Sequence, residues 1–236
     1  MSGFLTRRYS EFSVIERVDQ GNLWIARALF DLGGIQFGSF TLGRTAINSP
    51  IYINPRVLLA QPVLLRRVAE IIASEVRAGQ ARRRPRYDRF SFVAGVPFGG
   101  LQLAVAYALQ TDTSMIYVHP GRSGDKNHEI EGKYVEGDHV LLLDDLMTGG
   151  GSILRTAELL EEHNLEINDA IVLIDREQGG VECLRNRNYH VTSILTLRQM
   201  LTFYRESGLI DKVQFKSTME YLELGQTATD DSVPPV

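Results

Sequence analysis

Residues 140–152, VLLLDDLMTGGGS, constrain the fold more than any other segment. Val140 to Leu143 is an unbroken apolar run bounded by polar residues. A strand without polar alternation is covered on both faces, which implies a parallel sheet with helices on either side. The run is expected to end at two adjacent acids, Asp144 and Asp145. Leu146 and Met147 follow, then Thr148, Gly149, Gly150, Gly151 and Ser152 at the opening of a helical pattern. Glycines let a backbone approach an anion closely, and the free N–H groups of a helix N-terminus point at it. Thr148 and Ser152 add hydroxyl donors. Asp144 and Asp145 are unsuited to holding phosphate but suited to accepting hydrogen bonds from sugar hydroxyls beside it. The segment therefore reads as a sugar-phosphate site at the carboxyl end of a parallel strand, where open α/β sheets bind ligands. The glycine spacing of a dinucleotide loop is absent, and so is the Gly-Lys-Ser/Thr of a Walker loop.

The rest of the chain supports this architecture. Helical spacing at 61–78, 100–110, 152–164, 197–206 and 211–222 alternates with strand-like runs at 90–96, 115–118, 140–143, 170–174 and 190–196. That alternation implies βαβ units with right-handed crossovers. Two stretches stand outside it. Residues 36–54 read as two short strands joined by a turn, and residues 117–138 are polar with no clear period. Both are placed as a cap or lid over one end of the sheet. Residues 1–24 read as an N-terminal extension and 223–236 as a disordered tail, leaving one domain over 25–222.

Composition narrows the function classes. With 236 residues, 44% hydrophobic and 23% charged, the chain has the material for one α/β domain with a full core. A net charge of -4 and a pI near 5.8 give no global reason to expect nucleic-acid or anionic-membrane binding. Arg82, Arg83, Arg84, Arg86 and Arg89 form one basic cluster, read as a solvated turn between helix and strand. Cys183 is the single cysteine, so no intrachain disulfide forms, which fits a reducing compartment. No apolar run approaches the roughly 20 residues of a membrane span. A soluble, cytoplasmic protein is expected.

The 140–152 segment resembles the phosphoribosyl pyrophosphate (PRPP) signature of the type I phosphoribosyltransferases: an apolar strand, two acids, a short linker and a Thr-Gly-rich loop. The resemblance implies that family's α/β fold, a central parallel sheet flanked by helices with a small N-terminal hood. It also implies that Asp144 and Asp145 contact the ribose hydroxyls, and that residues from Met147 to Ser152 hold the 5-phosphate.

Four further segments resemble the orotate branch of this family. IVLIDREQGG at 171–180 matches its Asp-Arg-x-x-Gly-Gly segment, which makes Arg176 the residue that recognises the base. A guanidinium suits bidentate contact with a carboxylate or carbonyl. FGSFTL and SPIYIN, at 37–42 and 49–54, resemble the hood, so that Ile51, Tyr52 and Ile53 line the base pocket. The hood lysine of the family is absent; Gly43 and Arg44 stand there, and Arg44 is the candidate substitute. AGVPFGGLQLA at 94–104 resembles the pyrophosphate loop, with Phe98 and Gly99 facing the leaving group; some members carry a lysine where Gly99 stands. Residues 117–138 correspond to the mobile catalytic loop, patterned Arg-Lys-x-x-Lys-x-His-Gly. One register gives Arg122, Lys126 and His128 these roles, with Ser123 and Glu129 as departures; a gapless register puts His119 and Pro120 on the first two positions instead.

The resemblance implies Mg²⁺-assisted displacement of pyrophosphate from PRPP by a ring nitrogen of orotate, giving orotidine 5'-monophosphate on the route to UMP. Mg²⁺ is expected near Asp144 and Asp145, through water. A homodimer sharing the mobile loop between subunits is implied as well. No decarboxylase domain is expected within these residues. Two other readings remain open: a phosphoribosyltransferase for another base, and a PRPP-binding regulator without catalysis, which would keep the ribose-phosphate loop and lose the catalytic one.

Overall fold

A computed structural model describes residues 21–42, 46–119 and 129–227. Its centre is a six-stranded sheet in the order β5-β4-β3-β6-β7-β8. β3 (Phe92–Gly95), β4 (Ser114–Val118), β6 (Val140–Met147), β7 (Asp169–Asp175) and β8 (His190–Thr196) run parallel, and β5 (Ile130–Glu131) closes one edge antiparallel to β4. The chain moves outward from β3 to β4, then returns to place β6 on the other side of β3. The strand order therefore reverses between β3 and β6, and a crevice opens beyond their carboxyl ends.

β6 is covered on both faces, as its composition requires. Leu141 and Leu143 join one buried cluster, with α2 (Pro62–Gln80), α3 (Gly99–Thr111) and α6 (Leu197–Glu206). Val140, Leu142 and Met147 join the other, with α4 (Gly151–Glu161). α2 buries Leu64, Val68, Ile72 and Val76, one residue per turn. α6 begins with a capping box in which Thr196 and Gln199 each accept the other's backbone N–H.

The hood is a separate two-stranded antiparallel sheet, β1 (Ile35–Leu42) against β2 (Ala46–Ile53). A 3-10 turn, Pro55–Ala60, leads from it into α2. α7 (Lys212–Thr227) packs on β2 and supports the hood from behind.

Four boundaries differ from those read in the sequence. β6 does not stop at Leu143 but continues through the acids to Met147, because Leu146 and Met147 pair with Ile174 and Asp175 of β7. α1 (Leu23–Asp31) lies partly within the segment read as an extension and buries Trp24, Ile25 and Leu29. A short helix, α5 (Gly180–Arg185), interrupts a stretch read as a connection. α7 runs to Thr227, past the start of the supposed tail. Residues 1–20 and 228–236 lie outside the described residues.

Candidate active site

Asp144 and Asp145 sit in the last turn of sheet before the glycine loop, 6% and 8% exposed. Successive strand residues face opposite sides, so Asp144 faces the α4 layer and Asp145 the α3 layer. The N–H of Asp145 donates to Asp144 Oδ1 at 2.9 Å. Burial, and then the neighbouring carboxylate, push Asp144 well above the usual carboxylate range. Burial raises Asp145 too, opposed by the Arg56 guanidinium, whose Nε lies 3.6 Å from Asp145 Oδ2. That oxygen is buried and accepts no hydrogen bond among the described residues. A pair of this kind is costly to leave empty and is relieved by hydroxyl donors or a cation.

The loop after β3 closes over the same carboxylate. Val96 N–H donates to Leu143 O at 2.9 Å and extends the β3–β6 ladder by one bond. The peptide bond joining Pro97 and Phe98 is cis, and Phe98 is 64% exposed at the N-terminus of α3. A Cβ on Gly99 would overlap the Asp145 carboxylate, so this position cannot carry the side chain some relatives place there without moving the diacid.

Thr148 to Gly150 bend the chain between β6 and α4, which Gly151 and Ser152 open. Gly150 caps α4 with φ +79°, and a Cβ there would lie 3.0 Å from the Gly180 carbonyl. The first-turn N–H groups of α4 have no intrahelical acceptor and open toward the crevice. Arg155, one turn on, donates to Ser152 Oγ at 3.3 Å. Met147 does not belong to the cradle by its side chain. It is 1% exposed and packs against Gly180, and its carbonyl accepts from Arg176 N–H at 2.9 Å.

Arg176 is 1% exposed, the largest side chain buried so completely. Its Nη2 donates to Ser49 Oγ of the hood at 2.9 Å, and Ser49 Oγ in turn donates to Ile51 O at 2.7 Å. Its Nε has no partner among the described residues, nor has the buried Oε1 of Gln178. Burial lowers the Arg176 pKa, although a guanidinium at these values stays charged. Of the hood residues, Ser49 reaches Arg176. Ile51 and Ile53 are buried in the core, and Tyr52, on the other side of the strand, faces Phe40 with ring centroids 5.7 Å apart.

Arg44, Arg122, Lys126 and His128 lie outside the described residues. The stem of that loop is described. Its departure at Glu129 has a structural partner: Glu129 Oε2 lies 3.2 Å from His163 Nε2, at the far end of the helix that carries the cradle, and Tyr134 OH lies 3.2 Å from the other ring nitrogen. Three residues had no local signature and emerge only from the fold. Ser49 is paired across 127 residues, Arg56 follows Pro55 in a turn, and Gln178 lies inside the Asp-Arg segment.

Residues 57–196 match the phosphoribosyl transferase domain. The chain is 37% identical over 164 residues to orotate phosphoribosyltransferase of Thermococcus kodakarensis, covering 68% of this chain and 83% of that one. It is 29% identical over 217 residues to uridine 5'-monophosphate synthase of Bos taurus, covering 90% of this chain but only 43% of that one. The solved structure of UMP synthase from Leishmania donovani superimposes with a TM-score of 0.75 at 32% identity, over 86% of this chain and 42% of that one. The chain thus spans less than half the length of these two synthases. The diacid, the glycine cradle and the buried guanidinium fall within the matched residues, and the chain belongs to the phosphoribosyltransferase family, among the orotate phosphoribosyltransferases.

Proposed function

We propose that the chain transfers the phosphoribosyl group of PRPP to orotate, releasing pyrophosphate and forming orotidine 5'-monophosphate, as a step of UMP synthesis. The observation that carries the base assignment is Arg176: a fully buried guanidinium, unpaired with any carboxylate among the described residues, one strand away from a sugar-phosphate cradle. A buried charge without a counter-ion is costly. A pyrimidine bearing a carboxylate supplies that counter-ion.

In the reaction a ring nitrogen of orotate forms a bond to the anomeric carbon while the bond from that carbon to pyrophosphate breaks, with its electron pair leaving on oxygen, and the proton of the ring nitrogen passes to the pyrophosphate or to water. The protein performs no covalent step. Asp144 and Asp145 accept the ribose hydroxyls and favour the positive charge that develops on the sugar. Thr148, Gly149, Gly150, Gly151 and Ser152 fix the 5-phosphate, while Phe98 and Gly99 border the departing pyrophosphate. Arg122, Lys126 and His128 supply cations from the loop.

Mg²⁺ fits the donor set. The buried Asp144 and Asp145 carboxylates would hold the ion through water, in keeping with the oxygen ligands and retained waters that magnesium favours. When bound, the ion supplies charge neutralisation on pyrophosphate.

A homodimer accompanies this reading. Phe98, Val105 and Leu109 recur along one side of α3 at 64%, 47% and 80% exposure, and such an apolar stripe suits a second copy. No described helix is long and apolar enough to cross a membrane.

The test is pyrophosphate release from PRPP and Mg²⁺ with orotate, uracil, adenine or hypoxanthine as acceptor. Release with orotate alone is expected. Release with another base and not orotate overturns the base assignment. PRPP binding without release for any base makes the chain a PRPP-binding regulator.

A further inference from the structure

Arg56 stands where three parts of the crevice meet. Its 3-10 turn descends directly from the hood. Pro55, Arg56, Gly99, Gln102, Asp145 and Leu173 line a single small cleft, which joins the turn, the start of α3 and the diacid strand. The backbone there is held firmly. Pro55 and Leu58 are buried, and Asn54 Oδ1 accepts from Arg56 N–H at 3.3 Å. The guanidinium is not. It is 59% exposed, and its ion pair with Asp145, at 3.6 Å, is too long to be a hydrogen bond. A cation on a fixed base with a loosely held head is suited to changing partners.

We propose that Arg56 is a pyrophosphate-binding residue, resting on Asp145 while the site is empty and turning to the leaving group when substrate occupies the diacid. Three observations combine here. Asp145 Oδ2 is the Arg56 partner and makes no hydrogen bond among the described residues, so ribose hydroxyls or a divalent cation take it without breaking one of these. Gly99, which borders the pyrophosphate on the proposed reaction, lines the same cleft as Arg56. A guanidinium also presents paired donors that match two phosphate oxygens, where an ammonium offers a point charge. Arg56 thereby provides a cation rooted in the described body of the domain, independent of the loop that bears Lys126.

This inference rests on the transferase reading, and direct binding separates the two. Isothermal titration at fixed Mg²⁺ measures inorganic pyrophosphate and, separately, ribose 5-phosphate, for the unmodified protein, Arg56→Met and Arg56→Lys. Arg56→Met keeps the apolar stem and is exposed, so folding is preserved. It should weaken pyrophosphate about tenfold or more, the scale of one charge-assisted contact. Ribose 5-phosphate should stay within about twofold, and Arg56→Lys should recover part of the loss. Unchanged pyrophosphate affinity in Arg56→Met overturns the proposal while leaving the transferase reading intact. Equal weakening of both ligands also overturns it, since that marks a general electrostatic or structural effect. Failure of the unmodified protein to bind either ligand overturns both.

Discussion

Arg176 donates to the hydroxyl of Ser49 at 2.9 Å, across 127 residues of sequence and from one sheet to another. The bond ties the hood to the strand that ends in the base-recognition segment. Nε of Arg176 has no partner among the described residues.

Arg176→Ala should raise the KM for orotate at least tenfold with little change in the KM for PRPP. A buried charge-assisted bond is worth about 1.5–3 kcal/mol. Ser49→Ala removes an orienting contact and should produce the same pattern at smaller size. Steady-state kinetics with each substrate varied in turn decides the matter, and equal movement of both constants makes Arg176 structural.

Asp144→Asn with Asp145→Asn should weaken PRPP binding, measured by isothermal titration. The double variant should also melt at a higher temperature than the parent at neutral pH. Folding raises both carboxyl pKa values, so the ionised forms oppose folding above the unfolded value and cease to do so as pH falls. Unchanged PRPP affinity and turnover together would remove the diacid from the site.

Asp175 gives a cleaner pH test. It is 5% exposed, and burial pushes its carboxyl up to about 6. The native state therefore holds a proton that the unfolded chain releases near pH 4, and ionisation costs stability on the order of 2–3 kcal/mol once pH exceeds about 6. Asn keeps the acceptor for Glu177 N–H, seen here at 2.8 Å. Asp175→Asn should raise the melting temperature at pH 7.5, and the gain should shrink through pH 6 and vanish by about pH 4. A gain independent of pH rejects the argument.

Gly99→Ala should impair the enzyme severely, because its Cβ would occupy the volume of the Asp145 carboxylate. The loss should appear in PRPP affinity as well as turnover. Wild-type PRPP binding in this variant would show that the loop and the diacid are further apart in solution than the structure places them.

Lys126→Ala tests the loop register that gives Arg122, Lys126 and His128 the catalytic positions. Loss of one preorganised donor to the leaving group commonly costs about 2.7–4 kcal/mol, roughly a hundredfold to a thousandfold in turnover, with PRPP affinity changed far less. Mixing this variant with Asp144→Asn/Asp145→Asn should recover activity if the loop serves the opposite subunit. Full activity of Lys126→Ala rejects the register.

How much of this was legible in the sequence depended on whether the signal was local. Val140 to Leu143 announced a strand buried on both faces, and Gly149 to Ser152 announced its helix. The register that carries β6 on to Met147 was not legible, since it depends on pairing with Ile174 and Asp175 about 30 residues on. The role proposed for Arg176 came from its Asp-Arg-x-x-Gly-Gly context, but its complete burial was not legible, because arginine favours the surface. Ser49 and Gln178 lay inside the SPIYIN and Asp-Arg segments without a role of their own, Arg56 lay in neither, and Ser49 and Arg56 acquire meaning through partners distant in sequence. Met147 was misplaced by adjacency: a residue within a phosphate-binding segment can point into the core.

Among the described residues the two hood strands pair only with each other, and the six strands of the main sheet only with one another. Arg176 and Ser49 are where the two meet, so a change at either side chain is felt by the hood and by the end of β7 together.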